Sequence, residues 1–199
     1  MILKKYRLLI GVMIFITFTL TAFAKSATMV KVERELAPKP DQALIIFMRA
    51  SFVGSAISSS LFDITTTENK FLGVFKSGVK IAYDVDPGEH FFMVISESAD
   101  FMKATVEAGK TYYALITPRP GGMKARFSLK PLRQSDIESK DFAKWNQKTD
   151  LVENNPETEE WAAANASDIQ AKRDKWWPAW CRLSPERLDS MTLKVEDGI

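Results

Sequence analysis

The chain is predicted to be mainly β, an antiparallel sandwich of seven to eight short strands with a C-terminal helical segment packed on it. Three observations carry that expectation. Between Ala43 and Leu132 short apolar runs recur at a spacing of roughly ten residues. Each run ends at a turn signal, above all Pro87-Gly88 and Ala108-Gly109-Lys110, where proline presets φ and glycine can take φ > 0. Glycine then vanishes from Gln134 until Gly198, and the pattern turns helical.

From the N-terminus, Lys4, Lys5 and Arg7 form a positive region without an acid nearby, Leu8 to Phe23 is almost wholly apolar, and Ala22-Phe23-Ala24 places small residues before a cut at Lys25. This is the pattern of a signal peptide over 1–24 and of an exported chain, periplasmic or secreted. An uncleaved inner-membrane anchor is the alternative, although the apolar run falls short of the roughly 20 residues a span needs. Without the leader the formal charge of +2 becomes 24 basic against 25 acidic residues. The basicity belongs to the targeting segment, so nucleic acid is not an expected partner. Residues 25–41 mix charges with Pro38 and Pro40 and read as a linker.

Residues 42–133 form the predicted β domain. Ala43 to Arg49 is an apolar run of the kind a buried strand produces. Leu61, Asp63 and Thr65 alternate with Phe62, Ile64 and Thr66; Asn69-Lys70 leads into Phe71 to Phe75, and Ser77-Gly78 into Val79 to Val85. Phe91 to Ile95 and Tyr112 to Ile116 continue the series, and a loop over Pro118 to Gly122 precedes Met123 to Leu132. Several of these strands are apolar on both faces. The second face needs a cover, and residues 134–199 offer one.

In that extension, Ser135 and Glu138 have capping-box spacing for a helix over Asp136 to about Asn146. Asn155-Pro156 starts a longer one of about 22 residues, with acids in its first turn and Lys172, Arg173 and Lys175 near its end. Trp161, Asn165, Ile169, Arg173, Trp176 and Trp180 fall on one stripe. The extension carries nine basic and fourteen acidic residues against eleven and eight in the β region, which favours docking. Thr192 to Ile199 is either an edge strand or a tail. The single cysteine, Cys181, cannot form an intramolecular disulfide and is expected to be buried beside Trp177 and Trp180.

The strand-and-turn segments ALIIFMR, FVGSA, GVFKSGVKIAYDVDPGEH and VEAGKTYYALI resemble a family of exported bacterial proteins, many of them lipoproteins, built on the domain of unknown function 2846. The PGEH and AGKTYY turns are also similar to those of PEGA-type sandwiches, which are immunoglobulin-like in architecture. Either resemblance implies a small sandwich outside the cytoplasm and no known catalysis. The lipid-attachment cysteine of such lipoproteins is missing here, and the tryptophan-bearing extension lies outside the matching segments.

Chemistry is sparse. His90 is the only histidine, and no glycine frame marks a nucleophilic serine. Asp84, Asp86, Glu89 and His90 cluster around one turn, but their spacing matches no calcium loop, so no metal or cofactor is expected. Trp176, Trp177 and Trp180, with Arg173, are the candidate interaction surface, for an unknown protein, an envelope component or an anionic membrane surface. The open sheet edge near Ser51 to Ser60 is a second. The function expected is therefore a non-catalytic, envelope-associated binding module. The alternatives are a carboxylate-dependent hydrolase and a carrier of a small apolar ligand, the latter requiring a cavity of some 300 Å³ or more.

Overall fold

The computed structural model describes residues 28–119 and 126–199. The leader over 1–24 and the glycine pair Gly121-Gly122 lie outside the described residues. The described residues are mainly β, with eleven strands in two mixed sheets that do not close into a barrel. The strands are β1 (Val30–Lys31), β2 (Ala43–Arg49), β3 (Ser59–Asp63), β4 (Lys70–Phe75), β5 (Val79–Val85), β6 (Gly88–Ile95), β7 (Ala99–Val106), β8 (Thr111–Pro118), β9 (Phe127–Pro131), β10 (Asp150–Glu153) and β11 (Thr192–Leu193). The six-stranded sheet has the order β1-β10-β5-β2-β8-β9, the five-stranded sheet β11-β7-β6-β3-β4.

This differs from seven or eight antiparallel strands in count and in direction. β10 on β5, β2 on β8 and β11 on β7 are parallel pairs. The additional strands β1, β10 and β11 come from the segments flanking the β region, which add short pieces to sheet edges and thereby cover exposed backbone groups. The segment read as a linker is thus tied down. Val30 and Lys31 pair with Glu153 and Val152, and Met29 packs on the core.

Strand alternation sends side chains to two places. From β2, Ala43, Ile45 and Phe47 join Leu61, Phe92, Val94 and Met102 of the other sheet in one cluster. On the opposite face of β2, Leu44, Ile46 and Met48 meet Leu132, Phe142 and Trp145. Those last two belong to helix α2 (Lys140–Gln147), which follows the single turn α1 (Gln134–Ile137). The Ser135–Glu138 capping box does not form. Ser139 caps α2 instead, accepting from the Phe142 N–H at 3.1 Å. Tyr112 is fully buried, while its neighbour Tyr113 turns to the other face and stacks edge-on to Phe142.

The expected 22-residue helix is two. α3 (Pro156–Ala164) starts at the predicted Asn155 cap, and α4 (Ala166–Trp180) follows after a break at Asn165. α5 (Pro185–Ser190) leads into β11. The end of the chain is an edge element: Ile199 exchanges two backbone hydrogen bonds with Thr111, and the buried Asp197 pairs with Arg133. No helix among the described residues is long and apolar enough to cross a membrane.

Candidate functional site

α3 and α4 lie on the outer face of the five-stranded sheet and leave a groove of about 350 Å³ beside it. Its floor is set by strand parity. Leu61 points into the inter-sheet core, so Phe62 points out. Likewise Val94 is internal and Ile95 external. Val74 reaches the groove through a bulge. Leu61 pairs with Gly73 but Phe62 with Phe71, so β4 has one extra residue. Both Leu72 and Gly73 then face the core, and Gly73 (φ +154) has no Cβ because one would strike Ile81 and Met29. Beyond the bulge the parity is reversed, putting Phe75 inside and Val74 outside. Trp161 and Ile169 close the groove from the helices. Ser58, Ser60, Ser96, Glu97, Asn165 and the Asp168–Lys172 ion pair (2.8 Å) are its polar groups.

One end of the groove is formed by the loop after β2, held by a residue that the sequence did not single out. Arg49 is fully buried without a carboxylate partner among the described residues. Its Nη1 donates to the carbonyls of Ile57 and Phe75 and its Nη2 to that of Gly54, each at 2.7 Å. The guanidinium also lies 4.2 Å from the Phe127 ring centroid. Burial depresses its pKa to about 10, still far above neutrality. This clamp sets the position of Ile57, which lines the groove, and presents Phe52 and Val53, which are 83% and 70% exposed.

The tryptophans proposed as a contact surface face inward. Trp180 is buried, Trp177 stacks on it at 5.1 Å, and both rings meet Phe91 and Phe101 on the sheet. Trp176 is half-buried in the same cluster. Arg173 is occupied as well, donating to the carbonyls of Ile64, Thr66 and Thr67 and to Asn69 Oδ1. It ties α4 to the β3–β4 loop. Cys181, expected to be buried, is exposed. It follows the last residue of α4, one position past the Trp180 side chain that turns inward.

The turn cluster divides. Asp84, Asp86 and His90 line a second cavity of about 340 Å³ together with Asp63, Lys70 and Tyr83. Glu89 points away and pairs with Lys103. Asp84 pairs with Lys39 at 3.3 Å, and Asp86 Oδ1 accepts from Gln42 at 3.2 Å. His90 Nε2 donates to the Asp86 carbonyl at 2.8 Å, strapping the Pro87-Gly88 turn. The best-buried acid lining this cavity, Asp63, has both oxygens in use. Oδ1 accepts from the Thr65 N–H and hydroxyl, and Oδ2 accepts from the Tyr83 hydroxyl at 2.9 Å. A carboxylate so engaged is an anchor for the β3–β4 loop rather than a free base. Among the described residues no group of three or more His, Cys, Asp or Glu is arranged to hold a metal ion.

Burial and the neighbouring Asp63 charge raise the Tyr83 pKa, and burial raises those of Tyr112 and Tyr113. Above the ordinary tyrosine value near 10 the unfolded chain ionises first, so stability falls as pH rises past about 10. Tyr83→Phe is expected to cost about 1–2 kcal/mol at pH 7, by stranding Asp63 Oδ2, and to shallow the alkaline decline. Urea unfolding of both forms at about pH 7 and pH 10.5 measures each effect.

Comparison of the chain with known protein families and with curated proteins returned no match.

Proposed function

We propose that this chain is a non-catalytic exported binding module of the bacterial envelope, a two-sheet sandwich that takes a small apolar ligand between one sheet and its covering helices. The observation that carries the reading is the groove walled by Phe62, Val74, Ile95, Trp161 and Ile169. Its volume of about 350 Å³ lies within the range of small-molecule sites. Its lining surface is mostly apolar, as in sites that orient one polar end of an apolar molecule. Export rests on the leader pattern over 1–24 and on the resemblance to an exported family. The inward rings of Trp177 and Trp180 favour ligand binding over docking through the tryptophan helix, since a docking surface needs its aromatics free.

Titration with the neutral fluorescent probe N-phenyl-1-naphthylamine tests this. Saturable enhancement is expected for the wild type. Val74→Phe puts a ring into the groove and should weaken binding at least tenfold, or about 1.4 kcal/mol. A thermal melt establishes that the variant is folded. Equal affinity of the folded variant and the wild type would remove the groove from consideration.

A further inference from the structure

Ile95 to Glu97 border the apolar groove, and the next residues, Ser98 to Phe101, border a separate depression of about 180 Å³ beyond the β6–β7 turn. The far walls of this depression are Arg119, Arg126, the last turn of α4 and Arg187 of α5. Its lining differs in kind from that of the groove. Ser98 Oγ, Asp100 Oδ2, Arg119 Nε and Trp180 Nε1 are all buried and lack a hydrogen-bond partner. They are four of the seven such side-chain atoms among the described residues, gathered at one place. Ser98 and Trp180 are 4% and 8% exposed, so bulk water does not solvate their donors. Three of the four are donors, Asp100 Oδ2 being an acceptor. An unsatisfied buried donor costs about 1–3 kcal/mol, and three together call for a partner that the described residues do not supply.

The charges around these donors identify the partner. Arg119 lies 3.6 Å from Asp100, and no carboxylate among the described residues pairs with Arg126 or Arg187. Three guanidinium groups against one carboxylate leave two positive charges in excess. A structural ion pair would account for Arg119 and Asp100 alone. It leaves the buried indole N–H and serine hydroxyl unpartnered, beside the exposed Arg126 and Arg187, the latter also acting on Asp100.

We propose that this depression binds a single phosphate group, held by Arg119, Arg126 and Arg187, with Trp180 Nε1–H and Ser98 Oγ–H as neutral donors. Guanidinium groups match phosphate oxygens in pairs, and the volume suits one tetrahedral ion rather than a larger molecule. Asp100 is the one anionic group facing the site. It competes for the same arginines.

Calorimetric titration of the whole chain with inorganic phosphate, at fixed ionic strength, is expected to show saturable binding. Arg187→Ala should weaken it at least about tenfold, the loss of one charged hydrogen bond. Asp100→Asn should tighten binding several-fold, which a purely structural Asp100 would not do. Trp180→Phe retains the ring packing and should weaken binding about threefold through its missing N–H. Methyl phosphate and dodecyl phosphate distinguish the source. Equal affinity for the two esters and the free ion identifies free phosphate, whereas a preference for the dodecyl ester identifies the head of an amphiphile, and both outcomes uphold the site. Val74→Phe should leave phosphate binding unchanged, so failure of the apolar groove and failure of this site are separable. No saturable binding of phosphate or either ester up to about 10 mM, or binding indifferent to both Arg187→Ala and Asp100→Asn, overturns the proposal.

Discussion

Arg49→Ala is expected to destabilise the protein by about 4 kcal/mol, a large effect for a single polar substitution. The guanidinium donates three charged hydrogen bonds, and such bonds contribute roughly 1.5–3 kcal/mol each before the cost of desolvating the charge is set against them. Removing it leaves the Phe75 carbonyl buried without this donor and frees the loop that carries Gly54 and Ile57. At about 2–4 °C per kcal/mol for a chain of this size, the melting temperature should fall by roughly 8–16 °C. Two further variants separate hydrogen bonding from packing. Arg49→Met retains most of the side-chain volume but no donor, and should cost nearly as much as Arg49→Ala. Arg49→Lys retains the charge but not the planar fork, and should recover only part of the loss. A near-neutral Arg49→Met in urea unfolding would mean that the residue acts by filling space. Because the same loop ends the apolar groove, each destabilised variant should also bind the fluorescent probe less tightly.

The parts of the fold that local chemistry determines could be read in advance, and the parts that chain path determines could not. The Ala43–Arg49 run and the corner at Gly109 are local: an unbroken apolar stretch requires burial, and φ +74 at the turn favours glycine. The Asn155-Pro156 start of α3 is equally local. Parallel pairing of β2 with β8 is not, since it depends on where the intervening strands travel. β10 spans only Asp150–Glu153, too few residues for alternation to declare itself. The helix break at Asn165 left a trace in the low helix propensity of asparagine, but the stripe of apolar residues runs straight through it.

The candidate sites follow the same division. The tryptophans were visible as a cluster, yet their direction depended on a sheet whose outer face carries Phe91 and Phe101. Arg49 looked like the polar end of a strand. Its burial follows from a loop that folds back over it and offers three carbonyls. Val74 was unreadable as a groove residue because simple alternation from Leu72 would send it into the core. Only the extra residue at Gly73 reverses its side, and a bulge of this kind leaves little mark beyond a glycine inside a strand.

Trp180→Ala is expected to cost about 3–5 kcal/mol and to loosen α4 from the sheet. The ring is 8% exposed and packs with Trp177, Phe91 and Phe101. The C-terminal part of α4 has little independent stability, because Pro178 lies within the helix and supplies no N–H. An isolated helix of fifteen residues is marginal in water, so its attachment to β6 and β7 keeps it folded. Loss of the anchor should therefore appear as local opening before global unfolding. Amide exchange across Ala166–Trp180 should accelerate, and trypsin should cut at Lys172, Lys175 or Arg182 under conditions in which the wild type resists. Trp177→Ala removes a half-buried ring and should have a smaller effect of the same kind. Ile169 and Lys172 belong to both α4 and the groove, so the opening also breaches the groove wall. Probe affinity should fall in Trp180→Ala although residue 180 does not line the groove. Unchanged exchange in α4 together with unchanged probe binding would show that the helix is held by Arg173 and Ile169 alone, and that the tryptophans are available for another partner.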